Sequence, residues 1–263
     1  MSSVSRRPGP RLRGVVDRLW YVESGLESSD PETICPDGRT ELVVHLGAPM
    51  RELREGGDRP QPRHLLVGQM ERPVTIVPTG GLRMVGARLE PAALHRVLPV
   101  PQDRLVGQIV DLEAVWGVWT RQTAEQVAAT ADAHGALVAF ERALEILVPA
   151  ATPSDLPIEA AVARLHQTGG TASITRLAGD LGLGRRQLER RFRERVGLSP
   201  RLFGRIVRFQ RAFLALEHET GAAVAARCGY ADQAHLVREV RRFAGRTPSR
   251  LAEAEGLTVF FRS

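Results

Sequence analysis

Residues 173–200 read SITRLAGDLGLGRRQLERRFRERVGLSP, and residues 221–248 read GAAVAARCGYADQAHLVREVRRFAGRTP. Set side by side, they are two versions of one unit. Leu177-Ala178 corresponds to Val224-Ala225, and Leu181-Gly182-Leu183 to Cys228-Gly229-Tyr230, both at an offset of 47. Beyond the turn, Leu188 and Phe192 correspond to Leu236 and Val240, and Gly197 to Pro200 corresponds to Gly245 to Pro248, at an offset of 48. The extra residue sits in the second turn, where length varies most freely. Each unit predicts a short helix, a tight glycine turn and a second helix, with residues 173–197 and 221–245 as two helix-turn-helix units.

The flanking residues carry the matching punctuation. Ser173 is a good N-cap, Gly197 ends the second helix, and Ser199-Pro200 caps and opens a long helix. That helix carries Leu202, Phe203, Ile206, Phe209, Phe213 and Leu216 along one side. Run from Pro200 to His218, it would be about 27 Å long, against the ~34 Å between successive major-groove faces. One chain could then present two helices to one side of a duplex.

Helical periodicity separates the faces. In the first unit Leu188, Phe192 and Val196 point inward, while Arg186, Glu189, Arg190 and Arg193 point outward. In the second, Leu236, Val240 and Phe243 form the inner side, and Ala234, His235, Arg238 and Arg241 the outer. Arg190 and Arg238 occupy equivalent positions, where a guanidinium can donate two hydrogen bonds to guanine O6 and N7. Arg193, Arg241 and Arg242 suit phosphates. Glu189 is read as orienting Arg190 or Arg193.

Charge supports an anionic partner for this part of the chain. All 36 basic residues are Arg. Residues 1–153 carry a net charge of −2 and residues 154–263 a net +8. That asymmetry favours nucleic acid ahead of a membrane surface. No stretch approaches the ~18 apolar residues of a membrane span, so a soluble, cytoplasmic protein without a membrane partner is expected. Cys35 and Cys228 stand in no zinc-type spacing and are expected to be buried thiols.

The first part of the chain is patterned differently. β-type runs at Val15–Val22, Glu41–Leu46, His64–Gln69, Val74–Val77 and Leu82–Leu89 are separated by turn clusters such as Pro36-Asp37-Gly38, Glu55-Gly56-Gly57-Asp58 and Pro78-Thr79-Gly80-Gly81. Helical patterning takes over at Pro91–Leu98 and Asp111–Val148, with a break expected near His134-Gly135. The fold class is therefore α+β: a small, cupin-like β-barrel or sandwich with following helices, then an all-α domain. The expected divisions are a β-rich sensor domain over 1–100, a helical connector over 101–150, a linker at 151–157 and the helix-turn-helix domain at 158–256.

Residues 158–256 resemble the DNA-binding domain of the arabinose-regulator (AraC/XylS) family, above all through Cys228 to Pro248. The resemblance assigns base contacts to Arg186, Glu189 and Arg190 in the first unit and to Gln233, Ala234, His235 and Arg238 in the second. Two positions depart from it: Ala234 is often a larger polar residue there, and Val240 is usually Phe. The first unit is therefore expected to supply more of the discrimination. Pro36-Asp37-Gly38, Glu41 to Val44, Val67-Gly68 and Gly86 to Pro91 resemble a β-rich domain that accompanies such DNA-binding domains. In the wider family such a domain senses a small molecule or mediates dimerisation. The expected partners are double-stranded DNA, RNA polymerase, a small-molecule effector and a second copy of the chain.

A metal-dependent β-barrel enzyme fused to a DNA-binding module is the competing reading, on account of His45, His64 and His95. Their spacing contains no HxH, HxxxH or HxxE pattern, so no metal, cofactor or catalytic residue is assigned. Asp37-Gly38 reads as a turn, Cys35 as structural, and Trp116 and Trp119 as packing or dimer contacts.

Overall fold

A computed structural model describes residues 2–25, 30–54, 57–148, 153–248 and 257–258. The strands are β1 (Ser2–Arg6), β2 (Val16–Ser24), β3 (Glu32–Ile34), β4 (Thr40–His45), β5 (Arg51–Leu53), β6 (Arg59–Pro60), β7 (His64–Val67), β8 (Val74–Val77), β9 (Leu82–Leu89), β10 (Ile109–Asp111) and β11 (Leu257–Thr258). They form a six-stranded sheet ordered β1-β2-β9-β4-β7-β10 and a five-stranded sheet ordered β11-β3-β8-β5-β6. Neither closes on itself, so the N-terminal region is a pair of open sheets rather than a barrel.

Strand alternation explains the layering. In β4, Leu42 and Val44 turn outward onto helices, while Glu41, Val43 and His45 face the opposite sheet. β2 keeps the same phase beyond a bulge at Asp17, with Leu19 and Tyr21 on the helix side and Arg18, Trp20 and Val22 lining the space between the sheets. Three cross-strand rows result. Arg18 and Glu41 flank Arg88, Trp20 and Val43 flank Gly86, and Val22 and His45 flank Met84. Trp20 fits because Gly86 has no side chain, since a Cβ there would lie 2.2 Å from the indole ring.

Three helices follow: α1 (Leu94–Val97), α2 (Leu112–Ala128) and α3 (Ala133–Leu147). The break between α2 and α3 comes before the expected site. Asp132 caps α3 by accepting from Gly135 N at 2.7 Å, which puts His134-Gly135 in the first turn. Trp119 Nε1 donates to Ala143 O at 3.0 Å, which ties α2 to α3, and Trp116 stacks edge-on to Trp119. Leu137, Phe140 and Leu144 of α3 fill the layer beneath the six-stranded sheet.

The helical domain comprises α4 (Leu156–Gln167), α5 (Ile174–Asp180), α6 (Arg185–Val196), α7 (Pro200–Ala215), α8 (Gly221–Arg227) and α9 (Gln233–Ala244). Ser173, Ser199, Thr220 and Asp232 cap α5, α7, α8 and α9 through side-chain oxygens. α7 is shorter than its apolar pattern suggests. It ends at Ala215, where His218 N turns back to Ala215 O, so its length is about 24 Å. Phe192, Phe203, Phe209 and Phe243 centre the core, with Phe209 5.3 Å from Phe243. β10 lies within the expected connector, and α4 begins inside the expected linker because Asp155 caps it. Residues 149–150 of the expected connector, 151–152 of that linker, 249–256 of the expected DNA-binding domain and 55–56 of one expected turn lie outside the described residues.

Candidate nucleic-acid interface

α6 carries eight charged side chains on twelve residues, and the fold sorts them. Arg191 and Arg195 reach back to Asp155, with Arg191 Nη2 at 2.6 Å from Oδ1 and Arg195 Nε at 3.3 Å from Oδ2. Those two hold α6 against the start of α4. Glu189 bonds Arg185 at 3.1 Å, and Arg190 bonds Glu194 at 3.0 Å. The carboxylate that orients Arg190 is therefore Glu194, one turn on, rather than Glu189 as the sequence suggested. Arg186 and Arg193 are exposed and have no hydrogen-bond or ion-pair partner among the described residues. Leu188, Phe192 and Val196 are buried opposite them, as the periodicity requires.

α9 shows the same division. Leu236, Val240 and Phe243 are buried, whereas Gln233, Ala234, Arg238, Arg241 and Arg242 are exposed. Val240 is fully buried, so the smaller residue still faces the core. His235 is tied to the turn: its backbone N–H donates to Asp232 Oδ1 at 2.6 Å, and its ring meets Tyr230 edge-on at 5.3 Å. Arg242 lies over the Phe243 ring at 5.7 Å, leaving its exposed end turned to solvent. All ten residues assigned to DNA contact thus lie on α6 or α9, and none is buried.

Sequence reasoning missed the residue that anchors α9. Glu239, on the inner side of that helix, receives two hydrogen bonds from Arg205 of α7, at 2.9 and 2.6 Å. Burial would raise its carboxyl pKa, but the Arg205 hydrogen bonds and charge lower it below the ordinary value. The spacing of 34 residues between the partners gave no local signal. Arg208 of α7 likewise donates to Gly170 O and Gly229 O, pinning the connecting helix to the turn before the first unit and to the turn inside the second.

A second site lies between the two sheets of the β-domain. The cavity has a volume of about 450 Å³, within the range of small-molecule pockets. Its walls are mainly apolar, with Trp20, Val43, Met50, Leu65, Ile76 and Met84 prominent. Its polar end holds Asp37, Glu41 and Arg88. Arg88 Nη2 bonds Asp37 Oδ2 at 2.7 Å. Burial first, and then the Asp37 charge, push the Glu41 carboxyl up to about 8, against the opposing charge of Arg88. His45, buried beside His64 and Arg63, is pushed down to about 4 and stays neutral at pH 7. Among the described residues, no group of three His, Cys, Asp or Glu side chains is placed to hold a metal ion.

The two sites meet at the Asp37-Gly38 turn. Asp37 Oδ1 accepts from Arg39 N at 2.9 Å, and Gly38 adopts φ +75°, so the turn read from the sequence is present. Its contacts were not legible. Gln210 of α7 donates to Asp37 O at 2.7 Å, and Gln69 donates to Gly38 O at 2.9 Å. The Phe203 ring lies against Gly38, where a Cβ would come within 2.8 Å, and it also meets Phe192 of α6 edge-on at 5.6 Å.

Two domain families match the chain: a domain of unknown function (DUF6597) at residues 5–111 and a helix-turn-helix domain at residues 177–254. None of the curated proteins matches it. Among solved structures, apo ToxT K231A from Vibrio cholerae is similar at 10% identity over 94% of this chain and 98% of that one, with a TM-score of 0.48. V. cholerae ToxT with bound unsaturated fatty acid is similar at 11% identity over 94% and 96%, with a TM-score of 0.47. The AraC-like transcriptional activator CuxR is similar at 11% identity over 72% and 79%, with a TM-score of 0.26.

Proposed function

We propose that this DNA-binding transcription regulator, a member of the arabinose-regulator (AraC/XylS) family by its helix-turn-helix domain at 177–254, answers to a small effector held in the cavity of its β-domain. The observation that carries this reading is that one residue belongs to both sites. Asp37 lines the cavity and bonds Arg88 there, while its carbonyl accepts from Gln210 of α7, the helix that joins the two units. A ligand that draws on Arg88 or Asp37 shifts the turn under Phe203, and Phe203 abuts Phe192 on the inner face of α6. Such a ligand alters DNA binding only if it binds two arrangements of this turn unequally.

On the DNA side, Arg186, Glu189 and Arg190 of α6 and Gln233, Ala234, His235 and Arg238 of α9 are the proposed base readers, with Arg193, Arg241 and Arg242 on phosphates. Support comes from their shared exposure on two helices whose opposite faces are fully packed. Selection of preferred sequences from random duplexes, followed by binding measurements on the winner, tests the assignment. Arg190→Ala and Arg238→Ala should each weaken binding by about 1–3 kcal/mol and relax the preference at separate base positions. If both variants select and footprint like the parent, the readout is misassigned.

A further inference from the structure

The effector reading leaves open what the cavity takes, and its polar end answers through one side chain that the fold leaves without a partner. Glu41 stands directly across from Arg88 on the cavity face of β4 and β9, the position where a cross-strand ion pair is expected. No such pair forms. The Arg88 guanidinium turns to Asp37 instead, and Glu41 has neither a hydrogen-bond partner nor a salt bridge among the described residues. Its Oε1 is buried, although the residue keeps partial exposure because it lines the cavity. The other cations on the walls are committed elsewhere: Arg39 pairs with Glu90 and Asp17, and Arg18 donates to Ser5 Oγ.

A carboxyl enclosed by apolar walls, with no protein cation to meet it, is a site waiting for a positive charge. An anionic ligand would meet the Asp37 charge, and the guanidinium beside it is already held by Asp37. A neutral one would leave the carboxyl as it is. Trp20, seated over Gly86 on the same wall, adds the aromatic face that favours an organic cation.

We propose that the cavity binds a largely apolar organic ammonium ion, with Glu41 as its counter-ion and Trp20 against its apolar part. This deepens the effector reading and rests on it. Because burial keeps the Glu41 proton on at neutral pH, binding the cation expels that proton, so affinity rises about tenfold per pH unit up to about 8 and then levels. The remaining ionisable groups on the walls are Tyr21, Glu32, Glu52 and His45, and His45 stays neutral throughout that range.

Three probes of equal chain length separate the cases: decylammonium, decan-1-ol and decanoate, titrated into the full chain with tryptophan fluorescence and calorimetry. Decylammonium should bind at least tenfold tighter than decanoate. Glu41→Gln should remove that advantage while leaving decan-1-ol binding unchanged, which also shows that the variant keeps its cavity. Decanoate binding as tightly as decylammonium, unchanged decylammonium affinity in Glu41→Gln, or no binding of any probe would overturn the proposal. Anisotropy on the selected duplex, with and without decylammonium, then reads the effector role separately. Tight decylammonium binding with unaltered DNA affinity supports the ligand class and counts against effector control.

Discussion

At the scale of single residues, two buried carboxyls behave in opposite ways. Glu239 is held below the ordinary carboxyl value by Arg205, so its stabilisation is present above the unfolded value near 4.5 and fades as pH falls through the folded one. Glu239→Gln should cost about 1–3 kcal/mol at pH 7, measured by urea unfolding, with the gap to the parent closing in acid. Glu41 runs the other way. The folded chain keeps a proton that the unfolded chain loses above about 4.5, so Glu41 subtracts from stability as pH rises from there to about 8. Glu41→Gln should therefore be more stable than the parent by a few kcal/mol at pH 8 and equal to it at pH 4. A variant that gains no stability at pH 8 would mean that the carboxyl is less confined than its surroundings indicate. Neither carboxyl's partners could be read from the chain. Asp155 lies 36 residues from Arg191, whereas Glu194 stands one helical turn beyond Arg190, within reach of a local i,i+4 reading.

At the scale of elements, the helices of the DNA-binding domain were legible because each is fixed locally. Ser173, Ser199 and Gly197 announce their ends, and every apolar stripe matches a buried one. Asp232→Ala should show the strength of such signals: it removes the acceptor for His235 N and costs about 1 kcal/mol of thermal or chemical stability. It should also loosen the start of α9, where Gln233, Ala234 and His235 lie, and so lower DNA affinity more than Ser173→Ala does. β2, β4, β7, β8 and β9 were found from their apolar runs. β1, β3, β5, β6 and β10 were not, being short or polar and held mainly by the strands beside them. α7 stops before its apolar pattern does, since Leu216 still packs on the core from the turn that follows.

At the scale of the whole molecule, the link between the halves rests on few polar bonds. Gln210→Ala removes the hydrogen bond to Asp37 O and leaves the exposed faces of α6 and α9 untouched. The DNA affinity of the ligand-free variant should stay within about threefold of the parent, while the change produced by a bound cavity ligand should shrink toward none. A full response retained in Gln210→Ala would move the coupling to another contact, such as the packing of Gly197 against Gln102 and Val106. The repeat, the charge division and the two-part layout could be read from the chain, because each is a pattern along it. This junction could not, because Asp37 and Gln210 are 173 residues apart.

Cys35 belongs by sequence to the β-domain, yet its side chain lies in the hydrophobic core of the helical domain, with Ala92 and Val106 packed alongside. The thiol is accordingly inert, burial pushing it up to about 12. Recombination that exchanges one β-domain for another would cut through that core: a chimera joining these helices to a foreign N-terminal half inherits a socket shaped for three side chains it no longer has. Grafting either half onto a foreign partner would call for transplanting Cys35, Ala92 and Val106 with it.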